Sequence, residues 1–68
     1  GSRDARATEL RGLVDAAVAQ IAAGRPEVEL EPMSSYERKL VHDIVAERGY
    51  YSESRGEGRD RRLVISPA

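Results

Sequence analysis

No Phe, Trp or Cys occurs in the 68 residues, so any core must be built from five Leu, three Ile, six Val and one Met, with Ala and Tyr filling in. A chain this short supports one small domain, near the lower size at which a single core suffices. The spacing of these few residues therefore decides the fold. The missing cysteines exclude a disulfide scaffold and a thiolate zinc site, and a single His excludes a multi-histidine metal site. Apolar runs are only a few residues long, so no segment reads as a membrane span or a secretory signal, and the cytoplasm is the expected compartment. Gly1-Ser2 is set aside as an expected cloning remnant, leaving residues 3–68 as the domain.

Leu10, Leu13, Val14, Ala17, Val18 and Ile21 recur at helical spacing and predict an amphipathic helix over residues 4–23. Gly24 is placed to stop it, and Arg25-Pro26 prevents continuation. Residues 27–31 alternate acid and aliphatic (Glu27, Val28, Glu29, Leu30, Glu31), the pattern of a short half-buried strand. Ser34 and Glu37 then form an S-x-x-E capping box, which starts a second helix over residues 35–48 with Gly49 as its stop. Its expected apolar stripe is Tyr36, Leu40, Val41, Ile44 and Val45, with Arg38 and His42 as exposed neighbours away from it.

The remainder predicts a hairpin. Residues 50–54 and 61–65 have strand composition, and the charged loop between them carries Gly56 and Gly58. Pro67 is expected to end the last strand, since it cannot donate to a ladder. The order helix-strand-helix-strand-strand gives an α+β class: a three-stranded, mostly antiparallel sheet with both helices on one face.

The net charge is −1, which argues against a generic basic nucleic-acid binder. It is unevenly spread: residues 1–37 hold four Arg against seven acids, and residues 38–68 hold seven Arg or Lys against five acids. Ten of the eleven cations are Arg, whose planar fork suits phosphate and carboxylate, although an Ala- and Arg-rich composition also fits GC-rich coding DNA. No catalytic constellation is present. Asp43 is the immediate neighbour of His42 and points elsewhere on the helix, and Gly56-x-Gly58 lacks the third glycine of a dinucleotide loop. No enzyme activity, cofactor, metal or small-molecule substrate is expected.

On spacing alone, Arg38-x-x-x-His42 reads as two polar residues on a solvated helix face. Its context adds more. The stretch Leu30-Glu31-Pro32-Met33-Ser34-Ser35-Tyr36-Glu37-Arg38-Lys39-Leu40-Val41-His42 resembles the core signature of the R3H domain, and in particular the R3H domain that ends bacterial Jag-type RNA-binding proteins. There a Pro-Met-x-x-x-Glu-Arg run leads into the Arg-x-x-x-His helix. A Ser/Thr-x-Ser-x-Gly segment follows, matched by Ser52, Ser54 and Gly56, and then an Arg-rich strand closed by Pro, matched by residues 61–67. The resemblance covers residues 3–67, with Ser52 where Thr is common. It implies binding of single-stranded RNA or DNA, RNA first, and a neighbouring KH domain in a longer protein.

The residues allow a physical account of such contacts. Arg38 and His42 can hold a phosphate between a guanidinium and an imidazole, with Lys39 beside them. Ser54, Gly56, Arg59, Arg61 and Arg62 are the hairpin candidates. Tyr50 and Tyr51 offer a stacking face or, equally, core packing. The rival is a protein-interaction or scaffold module without nucleic-acid contact, suggested by the acidic first half and by Glu27, Glu29 and Glu31 on one strand face.

Overall fold

A computed structural model describes residues 2–68. Its elements are α1 (Ser2–Ala22), β1 (Val28–Glu29), α2 (Ser35–Glu47), β2 (Tyr50–Arg55), a 3₁₀ turn (Gly58–Asp60) and β3 (Arg62–Pro67). The α+β order is the one the sequence predicts. Both helix boundaries have local causes. At the end of α1 the Gly24 N–H donates to the Ile21 carbonyl at 3.0 Å and the Arg25 N–H to the Gln20 carbonyl at 3.1 Å. This is a Schellman motif, and it requires the left-handed backbone that Gly24 adopts at φ 116°. At the start of α2 the Glu37 N–H donates to Ser34 Oγ at 3.2 Å while the Ser34 N–H donates to Glu37 Oε1 at 3.1 Å, closing the capping box.

The buried stripe of α1 is Leu10, Val14, Ala17 and Ile21. It is narrower than the sequence suggests: Leu13 is 43% exposed, and Val18 is only partly covered. Both lie about 70° from the stripe's centre, on its flanks, where a domain with one other helix has nothing to cover them. In α2, Val41, Ile44 and Val45 are buried, Leu40 is half-buried, and Tyr36 is 68% exposed. Tyr36 therefore leaves the predicted stripe, since it sits about 130° from the stripe's centre. Arg38 and His42 lie on the opposite flank, at about 70° and 110°. Accordingly His42 is exposed as expected, whereas Arg38 is half-buried.

The sheet order is β1-β3-β2, antiparallel throughout. One face, with Val28, Leu63 and Ile65, joins the buried helix residues in a single core. Tyr50 packs against the same core from β2. The strand β3 extends beyond residue 65 and ends at Pro67, the expected stop, where it pairs with Tyr50. Because the Leu30 N–H donates to the Leu63 carbonyl, residues 63, 65 and 67 turn their backbone groups toward β1. Paired residues on that side end at Ile65, so the N–H that Pro67 lacks has no ladder partner to lose.

The other face carries no helix, yet Val64 is only 1% exposed. Its register partners are Glu29 and Glu53. From β2, Arg55 reaches Glu27 beside β1 at 2.9 Å while also holding Glu53 at 2.6 Å, so its side chain crosses β3 over Val64. Arg62 pairs with Glu29 on the same face. A lattice of ion pairs therefore takes the place of a second layer. No described helix is long and apolar enough to cross a membrane.

Candidate functional site

The flank of α2 that carries Arg38, Lys39 and His42 faces the Ser52–Ser54 side of β2. A groove of about 350 Å³ lies between them, with Arg61 at one wall and Leu63 at its floor. Alternation along β2 accounts for this wall. Ser52 and Ser54 occupy inward positions, opposite Ile65 and Leu63, but lie at the margin of the core where a hydroxyl meets a polar helix flank.

The groove's side chains are held by neutral partners. Arg38 Nη1 donates to the Met33 carbonyl at 2.7 Å, which fixes the guanidinium against the turn that precedes α2. His42 Nδ1 lies 2.6 Å from Ser52 Oγ. Arg61 Nη1 makes a long contact with the Gly56 carbonyl at 3.5 Å. Neither Arg38 nor Arg61 forms an ion pair among the described residues. Lys39, by contrast, donates to Asp43 at 2.7 Å along the helix.

Four of the arginines outside the groove are neutralised within the fold. Arg6 is paired with Glu37 and Glu9, Arg48 with Asp15, Arg55 with Glu27 and Glu53, and Arg62 with Glu29. Hydrogen bonds to Glu27 and then Glu53 push the Arg55 guanidinium up from its ordinary value, so this charge is committed internally. Two unneutralised guanidiniums thus converge on one concave surface beside an imidazole and two serine hydroxyls, an arrangement suited to an anion with several acceptor oxygens.

Of the residues singled out from sequence, the fold brings together Arg38, Lys39, His42, Ser54 and Arg61. It does not bring the others. Arg62 lies on the open face of the sheet with Glu29. Arg59 sits exposed in the 3₁₀ turn, outside the groove lining. Gly56 has φ 88°, and a Cβ there would come within 2.7 Å of both Arg62 Nη1 and the Asp60 carbonyl oxygen. Its glycine is accounted for by closure of the hairpin loop. No tyrosine lines the groove: Tyr50 packs against the core, Tyr51 is exposed and points to the open face, and Tyr36 borders another cleft.

That other cleft, about 430 Å³, lies between the starts of α1 and α2 and is lined mainly by apolar groups, including Leu10, Tyr36 and Leu40. Its Arg6 is spent on Glu37, which leaves Arg3 as its one other cation. The site list drawn from sequence lacks Ser35, Ser52, Glu53 and Leu63, and of these the Glu53 carboxylate is held by Arg55. The available signal for Ser52 is its place as a polar residue at an inward strand position.

Among the described residues, no group of three or more His, Cys, Asp or Glu side chains is arranged to hold a metal ion. Comparison with known proteins bears on the chain as a whole. The family model described as the R3H domain matches residues 8–67. The chain is 42% identical over 52 residues to the RNA-binding protein KhpB of Bacillus subtilis (strain 168), covering 69% of this chain and 24% of that protein. It is 36% identical over 66 residues to the RNA-binding protein KhpB of Lactiplantibacillus plantarum (strain ATCC BAA-793 / NCIMB 8826 / WCFS1), covering 94% of this chain and 20% of that protein. The chain thus spans about a quarter to a fifth of the length of these relatives. With the family match running from α1 through β3 and taking in the whole α2–β2 groove, the chain belongs to the R3H domain family.

Proposed function

We propose that this domain is a binding module, not an enzyme, that takes the sugar-phosphate backbone of single-stranded nucleic acid, RNA in the first place, in the groove between α2 and β2. Arg38 and Arg61 meet phosphate oxygens as charged donors, His42 adds an imidazole, and Ser54 adds a hydroxyl at the edge of β2. The observation that carries this reading is the partition of charge: the guanidiniums at the groove are free of carboxylates, while those on the open sheet face are neutralised. The name of both relatives, RNA-binding protein, points the same way. The rival protein-interaction reading leans on the acidic first half and on Glu27, Glu29 and Glu31, of which Glu27 and Glu29 are already engaged by Arg55 and Arg62. In the longer protein an adjacent KH domain would share the ligand, and the cytoplasm is the compartment in which such a module meets RNA.

The test is a titration of labelled single-stranded RNA with the domain at several salt concentrations, repeated with Arg38→Ala. Binding that weakens with salt and is reduced by the substitution supports the proposal. Binding that is indifferent to both salt and Arg38 overturns it.

A further inference from the structure

Ser52 is the one buried polar residue among the described residues, 5% exposed, and its hydroxyl has a single hydrogen-bond partner among them, His42 Nδ1 at 2.6 Å. Two arrangements of protons satisfy that distance. In one, the ring N–H at Nδ1 donates to Ser52 Oγ, and the hydroxyl proton is then left inside the protein without an acceptor. In the other, the hydroxyl donates to an unprotonated Nδ1, and the ring proton sits on Nε2. A buried donor with no acceptor costs about 1–3 kcal/mol. The second arrangement leaves no donor stranded. It also turns the Nε2–H away from Ser52, on an exposed side chain that lines the groove. Which ring nitrogen carries the proton is set by the bond the other nitrogen makes, and here that bond comes from β2.

We infer that Ser52 is a positioning residue that fixes His42 in the tautomer whose Nε2–H donates into the groove. The ring thereby presents a hydrogen-bond donor to an acceptor-only ligand while it is neutral, and its orientation is set before the ligand arrives. A phosphate diester has only acceptors to offer, so the tautomer matches it, whereas the opposite tautomer would set a lone pair against phosphate oxygens. The inference deepens the proposed function and rests on it for its consequence for binding, but not for the tautomer itself. Ser52 stays out of contact with the ligand and acts through His42. Threonine keeps the hydroxyl and suits a strand, so Ser52→Thr should preserve the arrangement, and alanine should not.

The experiment separates the two layers. Long-range ¹H–¹⁵N correlation on the free domain at about pH 8, where an ordinary imidazole is neutral, reads each ring nitrogen directly. Expected are a protonated Nε2 and an unprotonated Nδ1 in the parent and in Ser52→Thr, and mixed tautomers in Ser52→Ala. Titration of single-stranded RNA should then show affinity retained by Ser52→Thr and reduced about three- to tenfold by Ser52→Ala, no more than by His42→Ala. A protonated Nδ1 in the parent overturns the inference without any reference to RNA. An unchanged tautomer and affinity in folded Ser52→Ala overturns it as well. Should Arg38→Ala and His42→Ala both leave RNA binding untouched, the groove reading fails separately.

Discussion

Arg6 of α1 donates through Nε to Glu37 Oε2 of α2 at 2.6 Å, so the carboxylate that caps the second helix also ties it to the first. The Arg6 guanidinium, then the Ser34 N–H, hold the Glu37 carboxyl below its ordinary value. The unfolded chain therefore binds this proton more tightly than the folded one. The stabilisation is complete above the ordinary carboxylate range, about pH 4.3, and is lost as pH falls through the lower folded value. Partial exposure of both side chains keeps the effect modest. The melting temperature should fall as pH is lowered through that range. Glu37→Gln should lower it at neutral pH and flatten part of the slope, and a variant with the parental slope would contradict the assignment.

The core is small, so its members differ sharply from their neighbours in importance. Leu10→Ala and Ile44→Ala should each cost about 2–5 kcal/mol, most of the roughly 3–5 kcal/mol expected of such a domain. Leu40→Ala, half-buried, should cost less. Tyr36→Ala and Leu13→Ala, on exposed flanks, should stay within about 1 kcal/mol. Urea denaturation of the five variants checks this order.

Gly56 tests the hairpin. Its positive φ and the absence of room for a Cβ beside the Asp60 carbonyl predict that Gly56→Ala costs more than the roughly 1 kcal/mol usual for such a position. Gly58, with open space around it, should tolerate alanine better. Amide hydrogen exchange in β2 and β3 should quicken in the first variant more than in the second.

These contrasts show how far the sequence was legible. The capping box, the glycine stops and the stripe cores came through because each depends on a few neighbouring residues with one geometric outcome. Tyr36 and Leu13 were misplaced as core residues because periodicity marks a broad apolar arc, while the width actually covered depends on how many elements pack there. Arg62 and Arg61 are adjacent in sequence but fall on different sides of the molecule, since strand pleating begins between them. Composition could not separate a free guanidinium from one facing Glu29, because that pairing is set by the register of β1 on β3.

Affinity should reflect a small site. With about three phosphates contacted, the dissociation constant should lie on the order of 10⁻⁴–10⁻⁶ M near physiological salt, with a log–log salt slope near −2. Arg38→Ala and Arg61→Ala should each weaken binding by about 1–3 kcal/mol, and the double variant by less than the sum because one ligand is shared. Arg62→Ala should leave affinity within about 0.5 kcal/mol while loosening the sheet face over Val64. Since no tyrosine lines the groove, homopolymeric sequences should bind alike. Anisotropy titrations at three salt concentrations measure all four effects.

The most direct measurement is an amide-shift titration of the ¹⁵N-labelled domain with single-stranded RNA. The expected result is a contiguous set of shifted amides on one flank of α2 (residues 35–42), on β2 at Ser52 and Ser54, and at Arg61. Glu29, Tyr51 and Arg62 on the open face should stay still. Shifts concentrated on that open face, or none at RNA concentrations well above the expected dissociation constant, would contradict the assignment of the α2–β2 groove as the binding site.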